Sequence, residues 1–264
     1  MIRAAFLFLL ALACATPATA DRYYVVLRGA AFNIFDLGEI TYDADINAET
    51  YSIDATLTSG GLLNLFERTR IRASASGVVE NGAVRWRRYD LDHHYSRKHR
   101  VIAMRADETG AVNSEITPNY RLWGDPPATD DQKAGARDPL STLMAMAVDV
   151  GQTRFCAGAY PTFDGRFYYL LELGQGEIAD YEAGGFEGQV LKCSLAYIAV
   201  SGFEPSDSGR RRIPHGEVWF ALPDNARFAP PVRIVTPISA GAATLRLTEW
   251  RRAEVGLNAE PPTP

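Results

Sequence analysis

The sequence predicts a mainly β protein: a single curved antiparallel sheet, shaped like a half-barrel or barrel, with one short helix packed on it. Three observations predict this fold class. Apolar and polar residues alternate along most of the chain, short turns separate the alternating runs, and one segment has the period of an amphipathic helix. About twelve such runs exceed the roughly 10 strands that an open sheet holds before it curls, splits or closes.

The chain opens with a segment typical of an export signal. Arg3 precedes an apolar run from Ala4 to Ala13, and Ala18-Thr19-Ala20 has the small residues of a signal-peptidase site. We therefore expect residues 1–20 to be a signal peptide cleaved near Ala20 and the mature protein to be periplasmic. The apolar run is too short to cross a bilayer, which takes about 20 residues, and no later run comes closer, so we expect no transmembrane segment in the mature chain. Cleavage that leaves Cys14 as a lipidated first residue is the alternative.

Strands are predicted from residue 22 onward. Between Tyr51 and Thr58 apolar and polar residues alternate without interruption, and Thr244 to Thr248 repeats the pattern. Similar runs lie at about residues 37–45, 69–79, 83–89, 97–105, 154–159, 166–173, 188–199, 215–222 and 231–237. Turn signals at residues 47–49, 80–82 and 164–165 join neighbouring runs, which indicates an antiparallel meander.

One segment predicts a helix, from about residue 138 to 148. Asp138 fits the N-cap and Pro139 the first turn. Apolar residues at helical spacing then form a single face, namely Leu140, Leu143, Met144 and Ala147. Such a helix beside a strongly bent sheet most simply covers its concave side. We also expect a short turn at residues 61–66, whose Leu62, Leu65 and Phe66 would line the same opening.

Composition indicates one β-rich domain over residues 21–252. Hydrophobic residues make up 47% of the chain and charged residues 22%, as in ordinary globular proteins. The net charge of -5 gives no reason to expect nucleic acid as a partner, since that requires a basic face. Residues 253–264 lack periodicity and contain three prolines, which predicts a disordered tail. We interpret the irregular stretch at residues 119–137 as a crossover to the helix rather than a binding loop.

Two cysteines remain beyond the leader, Cys156 and Cys193. In an oxidising exported compartment such a pair most often forms a disulfide. Closing this loop would stabilise the fold by about 4 kcal/mol in the chain-entropy model. A nucleophilic cysteine is not expected, because neither residue has a nearby histidine in sequence or a Cys-x-x-Cys spacing.

The densest charge lies at residues 85–100, which combine six Arg and Lys residues with three histidines. We favour two paired strands with charged outward faces, and the alternative is a patch for an anionic partner such as a lipid head group. His93 and His94 are adjacent on a predicted strand and point to opposite faces, so no metal site is predicted. We also predict no cofactor, because the chain has no phosphate-binding Gly-rich loop before a helix.

Asp164-Gly165-Arg166 predicts a tight hairpin turn flanked by aromatic residues. The functional alternative makes Asp164 and Arg166 a charged pair at a pocket rim, which a buried Arg166 pointing into a cavity would favour. Ser74 and Ser76 lack the strand-turn-helix context of a nucleophile elbow. No catalytic residue is predicted, and the protein is more simply a non-enzyme.

Several segments in this order resemble a bacterial family catalogued as domain of unknown function 3108, common in exported proteins of alphaproteobacteria. The matching pieces are Leu37-Gly38-Glu39, Tyr51, Asp138-Pro139-Leu140-Ser141, Cys156, Phe163-Asp164-Gly165-Arg166, Cys193, Tyr197 to Phe203 and Pro231-Val232-Arg233-Ile234. The resemblance implies an exported, β-rich protein with a disulfide and brings no established activity. The chain has Phe167 where members often have a second Arg, which argues against two arginines that grip an anion there.

These observations lead to two functional hypotheses. The first is a periplasmic protein that holds a lipid or another apolar or amphiphilic envelope component in the hollow of the sheet. Its candidate ligand-binding residues are Leu62, Leu65, Phe66, Leu140, Leu143, Met144 and Arg166. The second is an interaction module that docks a periplasmic protein partner through a sheet edge or the basic strand pair.

Overall fold

Thirteen strands form one antiparallel sheet in the computed structural model, which describes residues 20–32, 34–61, 64, 68–224, 226, 228–239 and 241–255. The strands are β1 (Ala20–Ala31), β2 (Phe35–Ile46), β3 (Thr50–Ser59), β4 (Thr69–Glu80), β5 (Ala83–Tyr95), β6 (Lys98–Ala106), β7 (Val112–Thr117), β8 (Ala159–Phe163), β9 (Tyr168–Ala183), β10 (Phe186–Ser201), β11 (Gly216–Ala221), β12 (Pro231–Ile238) and β13 (Gly241–Val255). The helices are α1 (Asp130–Ala134), α2 (Pro139–Thr153) and α3 (Ser208–Arg211), with a 3-10 turn at Pro205–Asp207.

The strand order is β7-β6-β5-β4-β3-β2-β1-β13-β12-β11-β10-β9-β8. Each strand pairs with the strands before and after it in the sequence, except for β7 and β8, which form the two edges of the sheet. The first and last strands, β1 and β13, pair with each other. No ladder joins β7 to β8 within the described residues, so the sheet curls without closing. Helix α1 contacts both edge strands. The mainly β, curved antiparallel fold predicted from the alternation is therefore confirmed.

Helix α2 lies inside the curl. The Asp138 side chain caps it by accepting hydrogen bonds from the backbone N–H of Leu140 (3.0 Å) and Ser141 (2.9 Å). The helix continues five residues beyond the predicted end and stops where Arg154 takes a left-handed conformation (φ +56°). It is buried on nearly all sides rather than along one face, because the sheet wraps around it and β3, β4, β5 and β8 all contact it.

The longer helix displaces the strand that follows it. The run expected at residues 154–159 is a loop that contains Cys156, and the strand β8 begins at Ala159. The irregular stretch at residues 119–137 contains the single-turn helix α1. Three parts of the chain lie outside the described residues: residues 1–19 of the expected signal peptide at 1–20, Leu62, Leu65 and Phe66 of the expected short turn, and residues 256–264.

The predicted disulfide is present between Cys156, in the loop after α2, and Cys193 on β10, with 5.5 Å between their Cα atoms. It ties the end of the internal helix to the sheet. Gly176 on β9 is the cross-strand partner of Cys193, and a Cβ atom at this position would overlap the Cys156 Sγ. The disulfide therefore requires a residue without a side chain on the neighbouring strand.

The two ends of the curled sheet differ. At the closed end, α2 and the ends of the strands pack into a core that includes Tyr23, Phe228 and Trp250, with ring centroids 5.3 to 5.4 Å apart around Tyr23. At the open end lie the β1–β2, β3–β4, β5–β6, β8–β9, β10–β11 and β12–β13 connections. The space between α2 and the open end is not filled by the described side chains.

Candidate functional site

The main cavity occupies this space and has a volume of about 1050 Å³. Its wall is formed by inward-facing apolar residues of the strands, among them Ile40, Leu57, Ile71, Leu91 and Ile102. Pro139, Leu140 and Leu143 of α2 form its floor. The volume lies at the upper end of the range of about 300 to 1000 Å³ typical of small-molecule sites. The interior of the sheet is therefore a site large enough for a substantial apolar ligand.

Along β5 and β6 the cavity wall changes from apolar residues deep in the cavity to polar residues near the open end. Leu91 pairs with Ile102 deep in the cavity, whereas His93 pairs with Arg100 and Tyr95 with Lys98 nearer the open end. Because successive strand residues point to opposite faces, all of these side chains share the inner face. The exposed Lys98 marks the side of the cavity that opens to solvent.

The basic run at residues 85–100 is split by the same alternation. Outward-facing arginines form ion pairs on the sheet surface, as Arg85 does with Glu80 (2.7 Å). His93, Lys98 and Arg100 instead line the main cavity. The prediction of two paired strands with charged outward faces thus describes the outer face of these strands. On the inner face, cationic and imidazole side chains line the main cavity.

Arg100 lies against an aromatic ring at the open end. Its Cζ atom is 3.9 Å from the ring centroid of Tyr120, and its Nε donates a hydrogen bond to the carbonyl of Pro118 (3.2 Å). Among the described residues, neither Arg100 nor Lys98 forms an ion pair with a carboxylate. Both can therefore offer charge to a ligand.

Arg166 also lines the cavity, and only 13% of its side chain is exposed. Its Nη2 lies 3.2 Å from Asp207 Oδ2 and 4.0 Å from Glu204 Oε1. The Nε atom is buried, with no hydrogen-bond partner in the described part of the chain. The functional alternative from the sequence thus gains a buried Arg166 at a pocket, but the carboxylate that pairs with this arginine is Asp207.

The turn that carries Arg166 is fixed by local hydrogen bonds. Asp164 Oδ1 accepts from the backbone N–H of Arg166 (2.9 Å) and Phe167 (2.8 Å), and Gly165 takes φ +101°. Asp164 and Asp207 are the carboxylates among the residues that line the main cavity. Asp164 stabilises the turn and Asp207 forms an ion pair with Arg166, so each carboxylate has a structural role within the protein.

Tyr120 lies between the two arginines, with Arg166 Cζ 5.3 Å from its ring centroid. Burial raises the pKa of its hydroxyl, and the charges of Arg100 and Arg166 act in the opposite direction. Tyr120 belongs to the irregular stretch at residues 119–137, which therefore contributes to the cavity wall as well as crossing to the helix. Sequence reasoning missed this residue, because nothing in a Pro- and Gly-rich stretch marks one tyrosine.

A side cavity of about 510 Å³ adjoins the main one at the open end and shares Ile40, Leu57, Thr69 and Ile234 with it. Large apolar side chains are exposed in the neighbouring β1–β2 connection and at the adjoining strand ends, namely Phe32 (41%), Ile34 (79%), Phe35 (45%) and Ile238 (37%). The open end thus presents apolar groups to solvent beside an apolar pocket.

The predicted ligand-binding residues separate into three groups. Leu140, Leu143 and Arg166 line the main cavity. Met144 is fully buried in the core and does not line the cavity. Leu62, Leu65 and Phe66 lie outside the described residues, although Ser59 and Thr69, on either side of that segment, line the side cavity.

A buried carboxyl lies beside the floor. Asp138 is fully buried, and burial raises its pKa to about 7 against the opposing effect of the hydrogen bonds that it accepts. Its Oδ2 has no hydrogen-bond partner among the described atoms. A carboxyl with no exposed surface cannot reach a ligand, so we assign Asp138 to the helix cap.

None of the described helices is long and apolar enough to cross a membrane.

Comparisons with known proteins identify the family of the chain and a structure of similar fold. No curated protein matches the chain. The chain is similar to the crystal structure of a β-barrel-like protein of domain of unknown function DUF1849 from Brucella abortus, with a TM-score of 0.53 and 10% identity over 91% of this chain and 100% of that one. At this identity the likeness concerns the fold alone. Residues 23–248 match the family model described as "Protein of unknown function (DUF3108)", and the chain belongs to that family.

Proposed function

We propose that the protein is an exported, non-enzymatic periplasmic protein that holds an amphiphilic molecule of the cell envelope inside its curled sheet. The observation that carries this proposal is the main cavity of about 1050 Å³, apolar along its depth and polar at the open end. An apolar ligand portion would displace water from Leu91, Ile102, Leu140 and Leu143. Burial of apolar surface contributes roughly 25 cal/mol per Å², which favours a chain-like ligand.

The charge at the open end favours a ligand with an anionic group. Three basic side chains, Lys98, Arg100 and Arg166, line the cavity together with two carboxylates that are engaged in local structure. Guanidinium groups donate charge-assisted hydrogen bonds to carboxylate and phosphate oxygens. A carboxylate or phosphate head group would therefore lie between Arg100 and Arg166, with its apolar portion directed toward α2.

Export is supported by the leader-like residues 1–20 and by the disulfide, which persists in oxidising compartments. An open end with exposed apolar side chains suits transfer of a ligand to or from another apolar surface. We keep the interaction module as a second candidate on this last observation, since the same side chains would fit a protein partner.

Native mass spectrometry of untagged protein purified from a bacterial periplasm tests the proposal. We expect a mature chain that begins near Asp21 and carries a co-purified small molecule, released on denaturation as a single- or double-chain anionic amphiphile. A chain that begins with a lipidated Cys14 would instead indicate membrane anchoring. A stoichiometric protein with an empty cavity would support the interaction module, and a ligand-free chain that binds no added fatty acid would overturn the carrier proposal.

A further inference from the structure

The outer face of the β5–β6 hairpin carries an Asp92–His94–His99 cluster, on the opposite side of the sheet from the cavity. Asp92 and His94 are two residues apart on β5 and therefore share a face. His99 on β6 is the direct cross-strand partner of His94. The Nε2 atoms of His94 and His99 lie 2.9 and 3.2 Å from the same oxygen, Asp92 Oδ1. Three candidate ligand atoms thus lie within 4.8 Å of one another.

We propose that this cluster binds one divalent transition-metal ion, with Zn²⁺ as the natural occupant of its ligand set. Zinc takes imidazole nitrogen and carboxylate oxygen at about 2.0 to 2.2 Å, so two ligand atoms in tetrahedral arrangement are roughly 3.3 Å apart. The observed separations of 2.9 and 3.2 Å from Asp92 Oδ1 are close to this spacing. Two histidines and one carboxylate leave a coordination position open for water or an external ligand.

The backbone register already brings the two histidines together. The two imidazoles are stacked, with centroids 3.9 Å apart and planes inclined by 8°. The two-residue turn Ser96-Arg97 fixes the register that sets them opposite each other. Because the Nε2 lone pairs of parallel rings run side by side, both rings must rotate out of the stack before their Nε2 atoms converge on one ion.

Charged side chains lie on both faces of the hairpin around the cluster, whose imidazoles are exposed. The side chains of Lys98 and Arg100 face the cavity on the other side of the sheet. Asp90, the next outward residue on β5, is paired with Arg88 and Arg105. Arg72 and Arg70 are the cross-strand partners of Asp92 and His94 on β4 and are the cations that compete with a metal ion. About half of each imidazole is exposed, 56% for His94 and 49% for His99, so a hydrated ion can enter without unfolding of the hairpin.

The ordinary alternative is a pair of imidazole-carboxylate hydrogen bonds on an exposed sheet. This arrangement would also bring both Nε2 atoms to Asp92, and it would gain nothing from a metal. The two interpretations differ in whether the three groups bind an ion as a unit, which a titration measures directly.

The test is calorimetric titration of untagged mature protein with Zn²⁺, and with Co²⁺, whose visible absorption reports coordination by protein ligands. We compare wild type with His94→Gln, His99→Gln and Asp92→Asn. The matched control is His215→Gln, which removes an exposed histidine in the β10–β11 connection, outside the cluster. Circular dichroism verifies that each variant is folded, which we expect because the substituted side chains are exposed.

We expect wild type and His215→Gln to bind one equivalent of metal with the same affinity. Each cluster variant should bind at least about tenfold more weakly, because loss of even an outer-shell partner costs 10- to 100-fold. The proposal is overturned if wild type binds no stoichiometric ion, if any cluster variant binds as tightly as wild type, or if His215→Gln weakens binding to the same extent.

Discussion

The guanidinium of Arg100 stacks on Tyr120, with its Cζ atom 3.9 Å from the ring centroid. Five residues further along β6, Arg105 faces the opposite side of the sheet and pairs with Asp90 (2.8 Å). One strand therefore presents one arginine to the cavity and another to the outer surface. Their comparison isolates the role of charge inside the cavity.

Arg100→Gln should weaken binding of an anionic single-chain amphiphile by about tenfold or more, since a hydrogen bond to a charged group contributes about 1.5 to 3 kcal/mol. Arg105→Gln removes the same charge from the outer face and should leave affinity nearly unchanged. Isothermal titration with a long-chain fatty acid, and with the alcohol of equal length, measures both effects. Equal losses in the two variants, or an Arg100 effect of the same size for the alcohol, would contradict a head-group role.

Leu143→Trp should abolish ligand binding while leaving the protein folded. Leu143 lies on the floor of the cavity, half-buried, so a larger side chain can extend into the empty space. Binding of a fluorescent fatty acid and the midpoint of urea unfolding measure the two properties.

Met144 provides the contrast, because it is fully buried in the core next to Leu143. Met144→Ala should lower the free energy of unfolding by about 2 to 5 kcal/mol through the cavity that it creates. It should leave the affinity of the folded protein intact. A Leu143→Trp protein that still binds ligand with wild-type affinity would show that the floor is not part of the site.

The sheet and the helix start could be predicted from the sequence, because alternation and an N-cap followed by proline are local signals. The disulfide could be predicted because only two cysteines remain beyond the leader. Sequence reasoning placed Met144 among ligand-binding residues, because helical spacing alone does not distinguish a side chain that faces a cavity from one that faces packed core. Tyr120 was missed, since its position against Arg100 depends on how a long irregular stretch crosses the edge of the sheet.

The histidines show the same limit. His93 and His94 do point to opposite faces, as predicted, and His93 lines the cavity. The partner of His94 is His99, and that pairing depends on the hairpin register rather than on adjacency in sequence. An Asp and a His two residues apart before a two-residue turn, with a second His on the return strand, is the signal that could have found the cluster.

Gly176→Ala should prevent or strain the disulfide, because the new Cβ atom would overlap the Cys156 Sγ. We expect free thiols on titration of the denatured protein and a loss of stability of up to about 2 to 4 kcal/mol, the usual contribution of a disulfide. Gly174→Ala is the matched control on the same strand, where a Cβ atom would meet only the Ser194 hydroxyl at 3.3 Å.

A double-mutant cycle separates this effect from a general intolerance of the strand. In a Cys156→Ala, Cys193→Ala background the sulfur atoms are absent, so Gly176→Ala should cost clearly less than it does in wild type. An equal loss in the free energy of unfolding in both backgrounds would mean that the strand itself requires the glycine, independently of the disulfide.

Asp138→Asn should change how stability depends on pH. Burial raises the pKa of Asp138 to about 7 in the folded protein, above the ordinary value of 3.8. The folded state therefore binds this proton more tightly than the unfolded chain does. The resulting stabilisation is fully present below about pH 4 and is lost as the pH rises through about 7, with a slope of up to about 1.4 kcal/mol per pH unit.

Asparagine keeps the cap and cannot ionise, since its side-chain oxygen can accept the same bonds from Leu140 and Ser141. Urea unfolding at intervals from pH 4 to pH 8 should give a flatter profile for Asp138→Asn than for wild type, with the variant the more stable of the two at pH 8. Asp130→Asn, which removes an exposed carboxyl of α1 whose pKa is lowered by Lys133, should not flatten the profile. An unchanged slope in Asp138→Asn would mean that the buried carboxyl is ionised throughout this range, and that the charge is stabilised by the helix N-terminus despite its burial.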